Sequence, residues 1–237
     1  MDKSSNSSTR YAGMILIIIP FLIQIPYTLL ILNFQYPDIL RMPTEYILTE
    51  FQKGGSKLIW TWWFFGFSGL PLVYAYLQLY YLTNKRSPIA ALSSVLFGIS
   101  ALFFQLIGLM RWVFVVPILA KIYTDPNASE ATKEATILAF QTIHYLFGVI
   151  LGEHLGQLFT IFWMLIVSIL SIKEKSFPRW IGIFGSISSI LYIFAQTELF
   201  ALVMPEVYEV PMAGLIGSVC WLLWMVFVGF QLIKKRM

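Results

Sequence analysis

Six long apolar runs constrain the fold of this sequence more than any other feature. A helix that crosses the hydrocarbon core of a bilayer needs about 20 predominantly apolar residues. Charged residues make up 12% of the chain, against about 25% in soluble domains, and the mean hydropathy is +0.76. The sequence therefore predicts an all-α, polytopic membrane protein, a single bundle of six transmembrane helices over residues 11–233. The predicted spans are Tyr11–Asn33, Leu58–Leu82, Ile89–Leu109, Val149–Ser171, Trp180–Val203 and Met212–Ile233.

Both ends of the chain are polar. Residues 1–10 are rich in serine and are predicted to form a disordered cytoplasmic tail, and residues 234–237 form a short basic one. The first apolar run exceeds the roughly 7–15 residues of a signal peptide's hydrophobic region, and no small-x-small cleavage site follows it. We therefore expect an uncleaved first span.

The segments around three of the spans carry further helical signals. "RWVFVVPILAKIY" continues the third run and "KEATILAFQTIHYLF" precedes the fourth, so helices three and four are expected to extend beyond the outer face. The longest outer segment, residues 34–57, either is an irregular loop or contains a short amphipathic piece that lies on the outer surface or covers the bundle. The apolar side chains of that piece would be Ile39, Leu40, Tyr46, Ile47, Leu48 and Phe51.

The distribution of lysine and arginine predicts the orientation. Cytoplasmic ends of membrane helices carry an excess of these residues. Every segment on one side of the predicted bundle is net basic, including "NKRSP", "KEKSFPR" and the C-terminal "KKRM". Both termini are therefore expected to be cytoplasmic. Because the +4 net charge resides largely at these helix ends, we expect the lipid bilayer as a partner and no nucleic acid.

Three ionisable residues fall at a similar height near the outer ends of three different predicted spans. Counted at 1.5 Å per residue, Arg111 lies about 33 Å above Ile89, Glu153 about 30 Å above Lys173, and Glu198 about 27 Å above Trp180. An ionisable group left in hydrocarbon costs at least about 2.5–3.5 kcal/mol. These side chains are therefore expected to face inward and to pair, either as an interhelical staple or as the lining of an outward-facing polar pocket.

The stretch "HYLFGVILGEHLGQLF" carries most of the local signal. Glu153 and His154 both stand at helical spacing from Gln157, which allows all three to share one face. Three glycines form a predicted small-residue ridge that would let another helix approach closely: Gly148, Gly152 and Gly156. The expected partners of Glu153 are Arg111 and Glu198. Adjacent helical positions point in different directions, so Glu153 and His154 are not expected to act as one dyad.

Signatures of catalysis and of metal binding are weak. "GEHLGQ" lacks the second histidine of a zinc-protease motif, and neither a nucleophile elbow nor a phosphate-binding loop occurs. His144 is expected at the surface or in the interfacial zone. The lone Cys220 lies in an apolar run. No catalytic residue, metal ligand set or cofactor is predicted.

Two stretches resemble a known family. "GQLFTIFWMLIVSILSIKEKSFPRWIGIFGSISSILYIF" (residues 156–194) and "RYAGMILII" (residues 10–18) are similar to the bacterial membrane family catalogued as domain of unknown function 4386. The resemblance implies a multi-pass protein of the bacterial inner membrane and supplies no activity.

Three functions remain open from the sequence. The favoured hypothesis is a protein that binds or transports a small solute or a lipid through an outward-facing polar pocket. The second is a non-catalytic subunit or assembly partner of a membrane complex, and the third is an intramembrane enzyme. The candidate residues for a ligand pocket or an interhelical ion pair are Arg111, Glu153, His154, Gln157 and Glu198.

Overall fold

The computed structural model describes the backbone of residues 3–234 and contains helices and turns with no strand in that range. A 3-10 helix, Asp38–Arg41, and a π-helix, His144–Leu155, stand among ten α-helices. The α-helices are α1 (Lys3–Phe34), α2 (Thr44–Phe67), α3 (Leu72–Thr83), α4 (Pro88–Phe114), α5 (Val116–Tyr123), α6 (Glu130–Ile143), α7 (Gly156–Glu174), α8 (Arg179–Ile193), α9 (Gln196–Ala201) and α10 (Ala213–Lys234).

These helices join into six segments that are long and apolar enough to cross a membrane. The fold class is therefore confirmed as an all-α chain with six candidate spans. The third and fourth segments carry the additional turns that their flanking sequences predicted, and the second segment begins well before Leu58. The segments are Ser7–Phe34, Thr44–Thr83, Pro88–Tyr123, Glu130–Glu174, Arg179–Ala201 and Ala213–Lys234.

In the structure α1 begins at Lys3, within the segment for which the sequence predicts a disordered cytoplasmic tail, and that tail stays a prediction. Serine, threonine and asparagine cost less than about 0.7 kcal/mol per residue in a helix relative to alanine. Extending an existing helix adds one hydrogen bond per residue fixed, so the apolar span propagates into the polar tail. At the other end, Lys234 is the last residue of α10. Residues 1–2 and 235–237 lie outside the described residues.

The chain forms two compact units. The first contains the described residues of 1–21, 70–103 and 154–237. In it, α7 packs against α3 and α8, and α8 packs against α10. Aromatic rings lie at its centre: the ring of Trp163 is 4.3 Å from that of Tyr76 and 5.3 Å from that of Trp224. The buried hydroxyl groups of Thr160 and Ser189 donate to carbonyl oxygens one turn earlier in their own helices.

The second unit contains residues 22–69 and 104–153. Here α2 packs against α5 and α6. The first turns of α2 and the preceding 3-10 helix bury five of the six side chains predicted for an amphipathic piece, which are Ile39, Leu40, Ile47, Leu48 and Phe51. The sixth, Tyr46, is exposed and accepts a hydrogen bond from Gln35 at 2.7 Å. Residues 38–41 and 44–54 are therefore helical and cover a core of aromatic side chains, rather than forming an irregular loop.

Gly55 separates this covering part of α2 from the part that continues toward Phe67. Its φ of 54° and ψ of −149° lie in a region that is accessible essentially to glycine alone. A Cβ at this position would meet no atom within 4 Å. Replacement of Gly55 by alanine therefore tests backbone conformation with little steric interference.

We expect Gly55→Ala to lower the free energy of unfolding by about 1–3 kcal/mol, the usual cost of a strained backbone position. Unfolding of the detergent-solubilised protein can be followed through the reaction of a fluorogenic maleimide with Cys220, the single cysteine of the chain. Gly214→Ala in α10 is the matched control, because its Cβ would make only an ordinary 3.8 Å contact with Ala195. If Gly55→Ala has the same free energy of unfolding as the wild type, the non-helical backbone conformation at Gly55 is contradicted.

Gly229 marks a close helix contact in the first unit. A Cβ on Gly229 would lie 2.7 Å from the carbonyl oxygen of Gly13 in α1, and one on Gly13 would lie 2.8 Å from the carbonyl oxygen of Gly229. Backbone atoms cannot move aside as a flexible side chain can. We expect Gly229→Ala to destabilise the protein by about 1–3 kcal/mol through overpacking. The same unfolding assay and the same Gly214→Ala control apply, and equal stability of the two variants would rule out this contact.

Candidate functional site

Glu153 forms an ion pair with Arg41 in the second unit. The distance between Oε2 of Glu153 and Nη2 of Arg41 is 2.5 Å, and the two side chains are 20% and 29% exposed. The sequence favoured Arg111 as the partner, so this expectation needs correction. Arg41 reaches Glu153 because the 3-10 helix is anchored by the buried side chains of Ile39 and Leu40. The apolar residues Ile39 and Leu40 directly before Arg41 are the sequence signal that could have predicted that Arg41 is held against the second unit.

Arg111 is 5% exposed and belongs to the same unit as this pair. Its Nη1 donates to the carbonyl oxygen of Gly108, one turn earlier in α4. Its Nε has no hydrogen-bond partner among the described residues. The guanidinium carbon is 5.1 Å from the ring centre of Trp112, and the charge of Arg111 interacts with that of Glu153. Arg111 is therefore a buried cation whose direct acceptor is a neutral carbonyl group.

Two of the three predicted ridge glycines allow close packing around Arg111. A Cβ on Gly148 would lie 2.5 Å from Nη2 of Arg111, so the guanidinium group rests against the backbone there. A Cβ on Gly108 would lie 2.8 Å from the Cα of Gly152, which brings α4 and the π-helix together. Gly156 is also buried, but it belongs to the first unit.

The π-helix changes the geometry that α-helical spacing predicts. Residues 144–155 follow i→i+5 hydrogen bonding, a pattern that is rare and often found at functional sites. Its wider turns alter the direction in which successive side chains point. Glu153 bonds Arg41, whereas His154 and Gln157 share a different partner, Gln196. The predicted grouping of all three on one face is therefore replaced by two separate sets of contacts.

His144, at the start of the π-helix, is buried in the second unit, so the expectation of a surface position is wrong. Its ring stacks on Phe140 at 5.3 Å and meets the edge of Trp112 at 6.4 Å. A hydrogen bond joins it to the backbone of Leu40, while its Nδ1 has no partner among the described residues. The i,i+4 spacing of Phe140 and His144 was the available sequence signal.

Tyr36 is a further polar residue of the second unit that interacts with these charges. It lies between α1 and the 3-10 helix, and its ring meets that of Trp62 edge-on at 5.2 Å. Burial raises the pKa of the Tyr36 phenol, and the nearby Glu153 carboxylate raises that pKa further, while Arg111 and Arg41 act in the opposite direction. Three charged groups therefore lie within electrostatic reach of one phenol. We call Tyr36, Arg41, Arg111, His144 and Glu153 the polar cluster.

The first unit holds the other predicted site residues. The Nδ1–H of His154 donates to Oε1 of Gln196 at 2.6 Å, and Nε2 of Gln196 donates to Oε1 of Gln157 at 3.0 Å. Glu198 is partly buried in the first turn of α9. A link between Glu198 and Arg111 stays a prediction. No group of three or more histidine, cysteine, aspartate or glutamate side chains within the described part of the chain could hold a metal ion.

Six segments that are long and apolar enough to cross a membrane indicate a multi-pass integral membrane protein of unknown activity. The family profile of the Domain of unknown function (DUF4386) matches residues 11–229, which is most of the chain. The chain belongs to this family, as its resemblance to the family implied. A comparison with curated proteins found no match, and neither did one with solved structures.

The Arg41–Glu153 pair can be measured with a double-mutant cycle of Arg41→Gln and Glu153→Gln. We expect a coupling energy of about 1–2 kcal/mol, because the side chains of the pair are 29% and 20% exposed. A charged hydrogen bond shielded from solvent contributes more free energy than a fully exposed ion pair. The control cycle uses Lys133 and Glu130, an i,i+3 pair in which Glu130 is 83% exposed. Its coupling should not exceed about 0.5 kcal/mol. Equal coupling in both cycles would contradict the packing described for Glu153.

Proposed function

We propose that this protein binds a small solute or a lipid head group at the polar cluster, and that the site belongs to a transporter-like or sensor-like membrane protein. The observation that carries the proposal is the buried Arg111 guanidinium group, whose Nε has no hydrogen-bond partner among the described side chains and backbone groups. Leaving a buried polar group unpaired costs about 1–3 kcal/mol. A ligand that accepts a hydrogen bond there would recover that energy on binding.

The alternative of a purely structural staple explains less of the cluster. The Arg41–Glu153 ion pair is sufficient to join the 3-10 helix to the π-helix. A staple of that kind gives no reason to bury a second guanidinium group beside it, because leaving a buried polar group unpaired costs about 1–3 kcal/mol. The excess of buried polar groups over the needs of the staple therefore favours a binding role.

The proposed orientation supports access from outside. If both termini are cytoplasmic, the segment between α1 and α2 lies on the outer side, and Arg41 and Glu153 lie with it. Both of these side chains are partly exposed, whereas Arg111 is buried. A solute would therefore meet the Arg41–Glu153 pair first and Arg111 afterwards.

Catalysis is the weaker proposal. Acid–base or covalent catalysis by Glu153 or His154 needs a reactive group within hydrogen-bond reach. Glu153 bonds a guanidinium group and His154 bonds an amide. Neither is a nucleophile, so these contacts favour recognition over reaction.

The proposal predicts that a molecule co-purifies with the protein after extraction in a mild detergent. Denaturing mass spectrometry of the released molecules should find one enriched species in wild-type protein, and Arg111→Gln should lose it. Lys53→Gln, which removes a 66% exposed charge of the same unit, should retain it. If no species co-purifies and Arg111→Gln and Glu153→Gln lose the same stability, the cluster is a staple and the proposal fails.

A further inference from the structure

We infer that the ligand of the polar cluster is a small anion that presents carboxylate or phosphate oxygens. This inference rests on the proposed function and deepens it. The evidence is the kind of atom that the second unit leaves unpaired, the balance of charge around Arg111, and the way the neighbouring aromatic faces are covered.

The unpaired atoms of the second unit are mostly hydrogen-bond donors. Three are the indole Nε1 of Trp62, the indole Nε1 of Trp112 and Nε of Arg111, each buried and without a partner among the described residues. All three can donate and none can accept. The remaining two are acceptors: Oε1 of Glu153, and Nδ1 of the neutral His144 ring, which donates to the Leu40 backbone through its other nitrogen. A ligand with several acceptor oxygens matches this set better than one rich in donors.

The charges of the cluster point the same way. It contains two guanidinium groups and one carboxylate, and the carboxylate of Glu153 is engaged directly with Arg41. Arg111 donates to a neutral carbonyl group. Charge-assisted hydrogen bonds from a guanidinium group to carboxylate or phosphate oxygens are shorter and roughly twice as strong as neutral ones. An anion is therefore the ligand that gains most from contact with Arg111.

The aromatic rings near Arg111 do not form a cage for a cation. Trp62 and Trp112 stack on each other, with ring centres 4.9 Å apart and planes at 9°. Phe51 stacks on Trp112 at 5.7 Å, and the guanidinium carbon of Arg111 is 5.1 Å from the same ring. Recognition of quaternary ammonium ligands requires open aromatic faces. The faces of Trp62 and Trp112 are covered by neighbouring side chains. The two tryptophans can therefore contribute only their indole N–H groups to a ligand.

The first unit provides an internal comparison. Its buried side-chain atoms without a partner, within the described residues, are one hydroxyl group and two indole groups, on Ser168, Trp221 and Trp224. No guanidinium group is among them. The combination of unpaired donors with a buried positive charge therefore distinguishes the second unit and carries the inference.

The test uses three aromatic probes of matched size: benzoate, benzamide and benzamidine, which are negative, neutral and positive at neutral pH. Inorganic phosphate and phenyl phosphate extend the panel to phosphate oxygens. Each is titrated into the full-length protein in a neutral detergent at constant ionic strength, and tryptophan fluorescence and the thermal midpoint of Cys220 labelling are recorded. We expect saturable binding of at least one anion, and at least tenfold weaker binding of benzamide and benzamidine.

Two variants test which side chains hold the anion. Arg111→Gln should weaken anion binding about 10- to 100-fold, the effect of losing a charge-assisted hydrogen bond. Trp112→Phe keeps an aromatic ring and removes only the indole donor, so it should weaken binding about three- to tenfold while the protein remains folded. Lys53→Gln is the control for loss of a surface charge in the same unit and should bind as the wild type does.

The titration with the best anion is repeated in lipid nanodiscs of phosphatidylcholine, with and without phosphatidylglycerol. Competition by phosphatidylglycerol would identify a lipid head group as the source of the anionic group, and its absence would identify a free solute. Preferential binding of benzamidine or benzamide would overturn the inference and leave the proposed function standing. Binding of no probe, or unchanged anion binding by both Arg111→Gln and Trp112→Phe, would also overturn it. The proposed function fails only on its own test, in which no molecule co-purifies with the protein and Arg111→Gln and Glu153→Gln lose the same stability.

Discussion

The burial of one guanidinium group, that of Arg111, is the interaction on which the second unit depends. The guanidinium group can lie against the backbone at Gly148 because this residue has no side chain, and a Cβ there would meet the guanidinium nitrogen atoms. It donates to the carbonyl oxygen of Gly108, whose own lack of a side chain allows α4 to lie against the π-helix at Gly152. The glycines that the sequence presents as a simple packing ridge therefore also make room for a charge. Removing that room would force Arg111 out of the position from which it interacts with Glu153.

The sequence predicts the six helices because hydropathy is a property of each run by itself. In a bilayer every backbone amide must be satisfied within the segment, so a long apolar run has few choices other than a helix. The amphipathic part of α2 is also readable, since Ile47, Leu48 and Phe51 repeat at helical spacing. The helical start at Lys3 gives no hydrophobic signal because the segment is polar, although extending a stable helix costs little.

The partners of the charged residues could not be derived in the same way. Spacing along one helix shows which residues share a face. Whether Arg41 or Arg111 pairs with Glu153 depends instead on how the 3-10 helix that carries Arg41 packs on the rest of the second unit. The π-helix adds a second obstacle, because its wider turns direct Glu153 and His154 differently from an α-helix. His144 illustrates both points: its burial follows from stacking on Phe140 and from a bond to the Leu40 backbone, which are tertiary contacts.

The unpaired groups around Arg111 also bear on why binding is a better account of the second unit than hydration. A water molecule both donates and accepts, and it can satisfy an indole N–H as well as a carboxylate oxygen. It brings no charge, however, so it leaves the guanidinium group of Arg111 with the same excess of positive charge in a low-dielectric setting, where electrostatic interactions are strong. An anion supplies the missing acceptors and the missing charge together. The coincidence of these two deficits around Arg111 is the physical reason for proposing that the polar cluster binds an anion.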